Sequence, residues 1–142
     1  MLIEKIDHIG IAVRDLEERL ALWQATLGAK ARKIEVLENR GVRISHLEFP
    51  QSPTVELIAP LNDQTAVAKF LAERGEGIHH FCVKVKNIES AMAELKKKGI
   101  RFVQDTPQKG GDGSLVVFIH PRSLGGVMIE LKEAGDERTD KI

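Results

Sequence analysis

The chain has 142 residues, of which 42% are hydrophobic and 30% charged, a balance typical of a globular protein rather than a disordered one. Its 21 basic and 21 acidic residues cancel, which argues against a sequence-independent nucleic-acid binder and a polybasic membrane anchor. The single cysteine, Cys82, excludes an intrachain disulfide and a cysteine-based zinc site. No apolar run approaches the ~18 residues of a membrane span, and residues 1–8 lack a signal peptide's apolar core, so we expect a cytoplasmic protein.

In chain order, the first half is predicted to form a strand, a helix and three more strands. Ile6–Val13 is rich in β-branched residues, which favours a strand. Asp15 and Glu18 match a capping box at a helix start, and Gly28 is a typical helix end. The helix's apolar stripe is Leu16, Leu20, Trp23 and Leu27, and the later strands lie around Arg32–Leu37, Arg43–Glu48 and Thr54–Ile58.

A linking helix is predicted next, capped by Asp63 and ended near Gly75, with Val67, Phe70 and Leu71 on its apolar face. A strand around Ile78–Val85 and a second helix follow, the helix capped by Asn87 and ended by Gly99. The last strands are expected around Arg101–Gln104, Leu115–Ile119 and Val127–Leu131.

The two halves of the chain repeat each other. Ile6–Glu17 aligns with Ile78–Glu89, and Val55–Ile58 aligns with Ile129–Lys132. A repeat about half a chain long indicates one domain made of two similar units, each too small to form a site alone. We expect half-units at about 3–60 and 76–132, a linking helix at about 63–75 and a polar tail at 134–142.

Side chains alternate across a strand, so position assigns each residue to a face. His8 and His80 lie opposite the apolar, helix-facing side of the first strand of each half, and Glu56 and Glu130 do the same in the last strands. One such residue is usually a hydrogen-bonded structural group, but two histidines and two carboxylates at repeat-equivalent places indicate a divalent metal site.

The remaining histidines have simpler interpretations. His46 shares its strand face with Ile44 and Glu48, so it faces either the cleft or solvent. His79 is expected to be structural, and His120, before Pro121, to serve in a turn. The glycine-rich segment Lys109–Gly113 is equally compatible with a loop that closes over substrate and with a plain hairpin turn.

These residues resemble the vicinal oxygen chelate superfamily, whose domains are two tandem βαβββ units. The α+β fold that this resemblance implies is a cupped mixed sheet with helices on the outside. Within it, the resemblance is closest to methylmalonyl-CoA epimerases and runs from about Ile3 to Leu131. The supporting segments are Ile6–Ala12, Glu56–Leu61, Gly77–Phe81, Phe118–Pro121 and Gly125–Leu131.

The resemblance implies an epimerase that interconverts the two epimers of methylmalonyl-CoA. His8, Glu56, His80 and Glu130 match the metal ligands, and Glu130 also matches an acid–base group. The implied cofactor is a divalent ion, cobalt first, with zinc, nickel, manganese or magnesium as alternatives. The implied partners are an acyl-CoA substrate and a second copy of the chain in a homodimer, with no nucleic acid and no membrane.

The sequence departs from the family at the second acid–base group. Some members have a glutamate where this chain has Ile44, so His46 and Glu48, on the same strand face, are the weaker candidates for that role. The loop from Gln108 to Ser114 also differs from the commoner family sequence. Within it, Lys109, Gly113 and Ser114 are weak candidates for substrate binding.

Two alternatives stay open. The first is a glyoxalase I-like, metal-dependent isomerase or lyase of the same superfamily. The second is a metal-free protein that binds a planar apolar drug; the 4% aromatic content and the absence of tyrosine disfavour it.

Overall fold

The structure is a computed structural model that describes residues 3–135. The predicted polar tail, 134–142, lies outside the described residues from position 136 onward. The chain divides into two compact units: an N-terminal unit, His8–His79, and a C-terminal unit that combines residues 3–7 with residues 80–135. No helix within 3–135 is long and apolar enough to cross a membrane.

The N-terminal unit contains strands β1 to β5 and helices α1 and α2. Strand β1 spans Ile3–Ala12, and its residues from His8 onward belong to this unit. The other elements are α1 (Leu16–Leu27), β2 (Lys30–Ala31), β3 (Glu35–Leu37), β4 (Val42–Glu48), β5 (Thr54–Pro60) and α2 (Ala66–Arg74). Strand β5 lies between β1, which is parallel to it, and β4, which is antiparallel, while β2 and β3 pair with β4.

The C-terminal unit has a similar order of elements, with one strand fewer after its first helix and no counterpart of α2 among the described residues. It contains β6 (Gly77–Val85, from His80 onward), α3 (Ile88–Lys97), β7 (Gln108–Lys109), β8 (Leu115–Ile119) and β9 (Ile129–Glu133). Strand β9 lies between β6, which is parallel to it, and β8, which is antiparallel, and β7 pairs with β8. The C-terminal unit is therefore a βαβββ arrangement, and the N-terminal unit is the same arrangement with two short strands, β2 and β3, in place of one, followed by α2.

The first helix of each unit begins at the predicted cap. The Asp15 carboxylate accepts a hydrogen bond from the Glu18 N–H at 3.0 Å, and the Asn87 side chain accepts one from the Ser90 N–H at 2.8 Å. Gly28 ends α1 with a φ of 69°, a left-handed conformation that costs glycine little. These contacts fix where each helix starts, and Gly28 fixes where α1 ends.

Each of these helices covers one face of its own sheet. In the N-terminal unit, Leu16 and Leu20 of α1 pack with Leu47 of β4 and Leu57 of β5. In the C-terminal unit, Ile88 and Met92 of α3 occupy the equivalent positions in a cluster that includes Val117, Ile119 and Leu131. The predicted helix-facing sides are confirmed, although Leu27, placed in the apolar stripe from sequence, is 57% exposed.

Helix α2 packs on the opposite face of the N-terminal sheet. Its Val67 and Leu71 join Ala12, Ile44 and Ile58 in a second apolar cluster. Ile58 and Glu56 lie on the same face of β5, as do Ile44 and His46 on β4. The sheet face that carries His46 and Glu56 is therefore apolar at one end, and α2 covers that end.

The structure corrects several predicted elements. The cap of α2 is Thr65, whose hydroxyl accepts from the Ala68 N–H at 3.1 Å; Asp63 lies two residues too early. Of the predicted strand at Arg32–Leu37, only Glu35–Leu37 forms, as β3, and the short strand β2 precedes it at Lys30–Ala31. The Arg32 carbonyl, between the two, accepts a hydrogen bond from the Ser45 hydroxyl.

The strand predicted at Arg101–Gln104 does not form, and only an isolated bridge joins Phe102 to Ile119. The Phe118 N–H donates to the Gln104 side chain at 3.0 Å, so a side-chain oxygen replaces the backbone carbonyl that a ladder requires. The short strand β7 pairs with β8 instead, and β9 begins at Ile129, two residues later than predicted.

Candidate functional site

The N-terminal unit brings three predicted site residues together on one sheet face. His8 lies on β1, His46 on β4 and Glu56 on β5, the strand between them. The Glu56 Oε2 atom lies 3.5 Å from His8 Nε2 and 3.2 Å from His46 Nε2. His8 and Glu56 are each 3% exposed, so the cluster is almost fully removed from solvent.

Strand register explains this convergence. Glu56 is paired directly with His46 in the antiparallel β4–β5 ladder and with Gly10 in the parallel β1–β5 ladder. His8 precedes Gly10 by two residues and so points to the same face. Each residue offers one ligand atom, and these atoms lie within 4.8 Å of one another.

The C-terminal unit builds an equivalent pair. His80 lies on β6 and Glu130 on β9, with 3.4 Å between His80 Nε2 and Glu130 Oε1. Their exposed fractions are 2% and 1%. Glu130 is paired with Cys82, two residues after His80, just as Glu56 is paired with Gly10, two residues after His8. The repeat seen in the sequence therefore extends to strand register and side-chain contact.

The chemistry of these donors fits a divalent metal ion. Burying a carboxylate and an imidazole removes them from water, which is costly unless each is paired, hydrogen-bonded or bound to a metal. Imidazole nitrogen and carboxylate oxygen are the ligands preferred by several first-row divalent ions. Both units offer such a pair, with histidine Nε2 directed at the carboxylate.

His46 is held on two sides besides Glu56. Its Nδ1 atom lies 2.7 Å from the Thr54 hydroxyl, and its ring meets the His8 ring edge-on, with centroids 5.1 Å apart. Thr54 was not singled out in the sequence. The signal was available, because Thr54 precedes Glu56 by two residues on the same strand and must share its face.

Glu48 has a different environment. Its carboxylate accepts a hydrogen bond from the Arg32 Nε atom at 2.8 Å, and its side chain is 40% exposed. The bond from Arg32 holds the pKa of Glu48 below its ordinary value. The structure therefore brings His46, but not Glu48, into contact with Glu56.

The three weak substrate-binding candidates lie in the hairpin between β7 and β8. Lys109 pairs with Leu115 in this hairpin, and Gly113 belongs to a short 3-10 turn. The Ser114 side chain is buried and its hydroxyl donates to the Gly111 carbonyl at 2.7 Å. The segment forms the hairpin turn that was one of its two predicted interpretations.

The two remaining histidines have local contacts. His79 packs edge-on against Phe70, with ring centroids 4.9 Å apart. His120 accepts a hydrogen bond from the Arg122 N–H at 3.2 Å and so caps a 3-10 turn. The structural role expected of His79 and the turn role expected of His120 agree with these contacts.

Comparison with known proteins gives the same fold class. Residues 7–118 match the family model of the glyoxalase/bleomycin resistance protein/dioxygenase superfamily. The structure is similar to that of methylmalonyl-CoA epimerase from Mycobacterium tuberculosis, with a TM-score of 0.93 and 34% identity over 98% of this chain and 93% of that one. The predicted α+β fold of tandem βαβββ units is confirmed.

Two curated relatives identify the family within this superfamily. The chain is 36% identical over 131 residues to mitochondrial methylmalonyl-CoA epimerase of Homo sapiens, covering 92% of this chain and 74% of that protein. It is 34% identical over 134 residues to ethylmalonyl-CoA/methylmalonyl-CoA epimerase of Cereibacter sphaeroides, covering 93% and 99%. The chain therefore belongs to the methylmalonyl-CoA epimerase family of the glyoxalase/bleomycin resistance protein/dioxygenase superfamily.

Proposed function

We propose that this chain is a metal-dependent epimerase that interconverts the two epimers of methylmalonyl-CoA. The observation that carries the proposal is the repeated, buried histidine–carboxylate pair, one in each unit, in a chain of this family. A solved relative is a methylmalonyl-CoA epimerase in complex with methylmalonyl-CoA and NH4+, which supports the choice of substrate.

The proposed ligands of the metal are His8, Glu56, His80 and Glu130, the residues that match the family's ligand positions. When bound, a divalent ion would hold the carboxylate and thioester oxygens of the substrate and stabilise the negative charge that develops as the C2 proton leaves. We propose cobalt as the ion, with zinc, nickel, manganese and magnesium as alternatives that the same donor set accommodates.

Glu130 is the group that we propose removes the C2 proton. Glu130 is 1% exposed, so little solvent reaches the carboxylate that would meet the C2 proton. The edge-on contact between His80 and Phe118, with centroids 5.4 Å apart, limits rotation of the histidine that lies against Glu130. The histidine beside the Glu130 carboxylate is therefore packed against an aromatic ring.

Epimerisation also requires a group that delivers a proton to the opposite face of C2. Starting from the epimer whose C2 proton faces Glu130, solvent exchange requires only that group, whereas net epimerisation requires both groups. The two rates, measured on one sample, therefore separate the role of Glu130 from that of the second group. His46 and Glu48 are the weak candidates for that group. We test them by measuring the exchange and epimerisation rates of His46→Gln and Glu48→Gln.

The test of the proposed function is deuterium incorporation at C2 of methylmalonyl-CoA in heavy water, followed by mass spectrometry. We expect rapid incorporation by Co2+-loaded protein and loss of incorporation after chelation. The hemithioacetal of glutathione and methylglyoxal, assayed in parallel, tests the glyoxalase-like alternative. Conversion of the hemithioacetal without exchange at C2 would contradict the epimerase.

We also propose a cytoplasmic homodimer. The homodimer comes from the family resemblance and is tested by light scattering of the purified chain. A monomer at micromolar concentration would contradict it.

A further inference from the structure

We infer that His46 is a positioning residue for the proposed metal ligand Glu56, and that Thr54 holds His46 in the orientation this role needs. The inference rests on the proposed metal-dependent function and assigns His46 a role other than the acid–base role considered from the sequence. The three side chains Thr54, His46 and Glu56 contact one another in series on one face of β4 and β5, and we call this series the relay.

Strand register brings the three side chains of the relay together. His46 and Glu56 are direct partners across the β4–β5 ladder, and Thr54 lies two residues before Glu56 on the same face of β5. Both sheet positions are fixed by backbone pairing, so the three side chains meet without long or flexible connections. Their arrangement follows from the register of a central strand pair.

The contacts determine which atom donates and which accepts each hydrogen bond of the relay. The Thr54 hydroxyl lies 2.7 Å from His46 Nδ1, and His46 Nε2 lies 3.2 Å from Glu56 Oε2. A carboxylate only accepts hydrogen bonds, so the nitrogen facing Glu56 must carry the proton. His46 Nδ1 then accepts from the Thr54 hydroxyl, which fixes the neutral ring as the Nε2–H tautomer.

The geometry also restricts the ring. The edge of His46 meets the His8 ring at an interplanar angle of 87°, and the side chain of His46 is 13% exposed. A ring held by a neighbouring aromatic ring and a hydroxyl has little freedom to turn away from Glu56. Partners of this kind orient metal-ligating carboxylates and histidines, and their loss typically lowers metal affinity about 10–100-fold.

Substrate binding would require the ion to keep open positions beside its protein ligands. A further protein ligand at His46 would leave fewer such positions for the substrate oxygens. His46 can instead stabilise the charge of Glu56 without taking a coordination position.

The first test is the protonation of His46 in the Zn2+-loaded, full-length protein, measured by long-range proton–nitrogen correlation NMR. We expect the Nε2–H tautomer in wild type, with the two nitrogens of His46 free of the shift that metal coordination produces. A Nδ1–H tautomer, or a metal-shifted Nε2, would overturn the inference in favour of direct ligation. The same spectrum of the metal-free protein tests the relay if Zn2+ does not bind.

The second test is Zn2+ affinity, measured by competition with a chromophoric chelator and without substrate. We expect His46→Phe, which keeps an aromatic ring but removes the N–H, to bind Zn2+ about 10–100-fold more weakly. Thr54→Val, which keeps the shape of the side chain, should show a smaller loss and a mixture of tautomers. The matched control is Thr106→Val at an exposed position, which should leave the affinity unchanged.

Unfolding of the metal-free variants separates positioning from a general structural effect. Reduced Zn2+ affinity at unchanged stability supports the inference, whereas unchanged affinity in both His46→Phe and Thr54→Val overturns it. Exchange at C2 by the wild-type protein is a separate measurement. Failure of the relay would therefore leave the proposed epimerase intact, and failure of exchange would leave the tautomer and affinity results standing.

Discussion

Ile44 and His46 lie on the same face of β4, two residues apart, but in different environments. Ile44 is 2% exposed and packs with Ile58 and Leu71 in the apolar cluster beneath α2, whereas His46 contacts Glu56. A single step along the strand thus separates the core from the candidate site. An isoleucine is accommodated at position 44 because its side chain lies in an apolar cluster.

The first prediction concerns Ile44, whose role in this chain is structural. Ile44→Val should lower the free energy of unfolding by about 0.5–1.5 kcal/mol and Ile44→Ala by about 2–5 kcal/mol, because each leaves a larger cavity in the cluster. Denaturant unfolding of the metal-free protein measures both. Loss of C2 exchange at unchanged stability would instead place Ile44 in the chemistry.

The second prediction concerns Glu130. At saturating Co2+, Glu130→Gln should slow deuterium incorporation at C2 by about 10²–10⁴-fold, the range expected when a general base is removed. Metal content is measured on the same sample, so that loss of the ion is distinguished from loss of the base. Glu73→Gln, at an exposed position of α2, is the control and should exchange at the wild-type rate. Wild-type exchange by Glu130→Gln would contradict the assignment.

The third prediction compares the two helix caps. Asp15 caps α1 and Asn87 caps α3 at repeat-equivalent positions, each accepting from the N–H three residues later. Asp15→Ala and Asn87→Ala should each lower the free energy of unfolding by about 0.5–2 kcal/mol, because a helix N–H loses its acceptor. Substitution by serine should restore most of the loss. Equal stability of the alanine and serine variants would argue against capping.

The fourth prediction is a pH dependence that depends on Glu76. Its carboxylate accepts from the Arg14 N–H at 2.7 Å and from Arg19 Nε at 2.8 Å. The hydrogen bond from the Arg14 backbone holds the pKa of Glu76 below its ordinary value of 4.5. The bond from Arg19 lowers the pKa further, whereas the partial burial of Glu76 acts in the opposite direction. A carboxyl group with a lowered folded-state pKa stabilises the fold above its unfolded-state pKa.

The stabilisation by Glu76 should therefore be complete at neutral pH and decline as the pH falls below about 4.5, through the lower folded-state pKa. The measurement is the difference in unfolding free energy between wild type and Glu76→Gln, followed from pH 7 towards pH 3. We expect the difference to shrink with acidification. A difference that is constant, or that grows, over this interval would show that the two contacts do not favour the ionised carboxylate.

Much of the site was predictable from sequence because strand periodicity assigns faces without knowledge of the fold. The alternation around His8, Glu56, His80 and Glu130, doubled by the repeat, is sufficient to pair each histidine with a carboxylate. The helix caps Asp15 and Asn87 were predictable for a similar reason: a cap depends on contacts only three residues away.

Tertiary structure decided what depends on pairing between distant segments. Arg101–Gln104 has the composition of a strand, but the Gln104 side chain takes the hydrogen bond that a neighbouring strand would need. His46 and Glu48 have the same strand parity, yet only His46 is opposite Glu56, while Glu48 meets Arg32. Periodicity gives a residue its face, but register and competing partners, which the sequence alone does not specify, determine what that residue contacts.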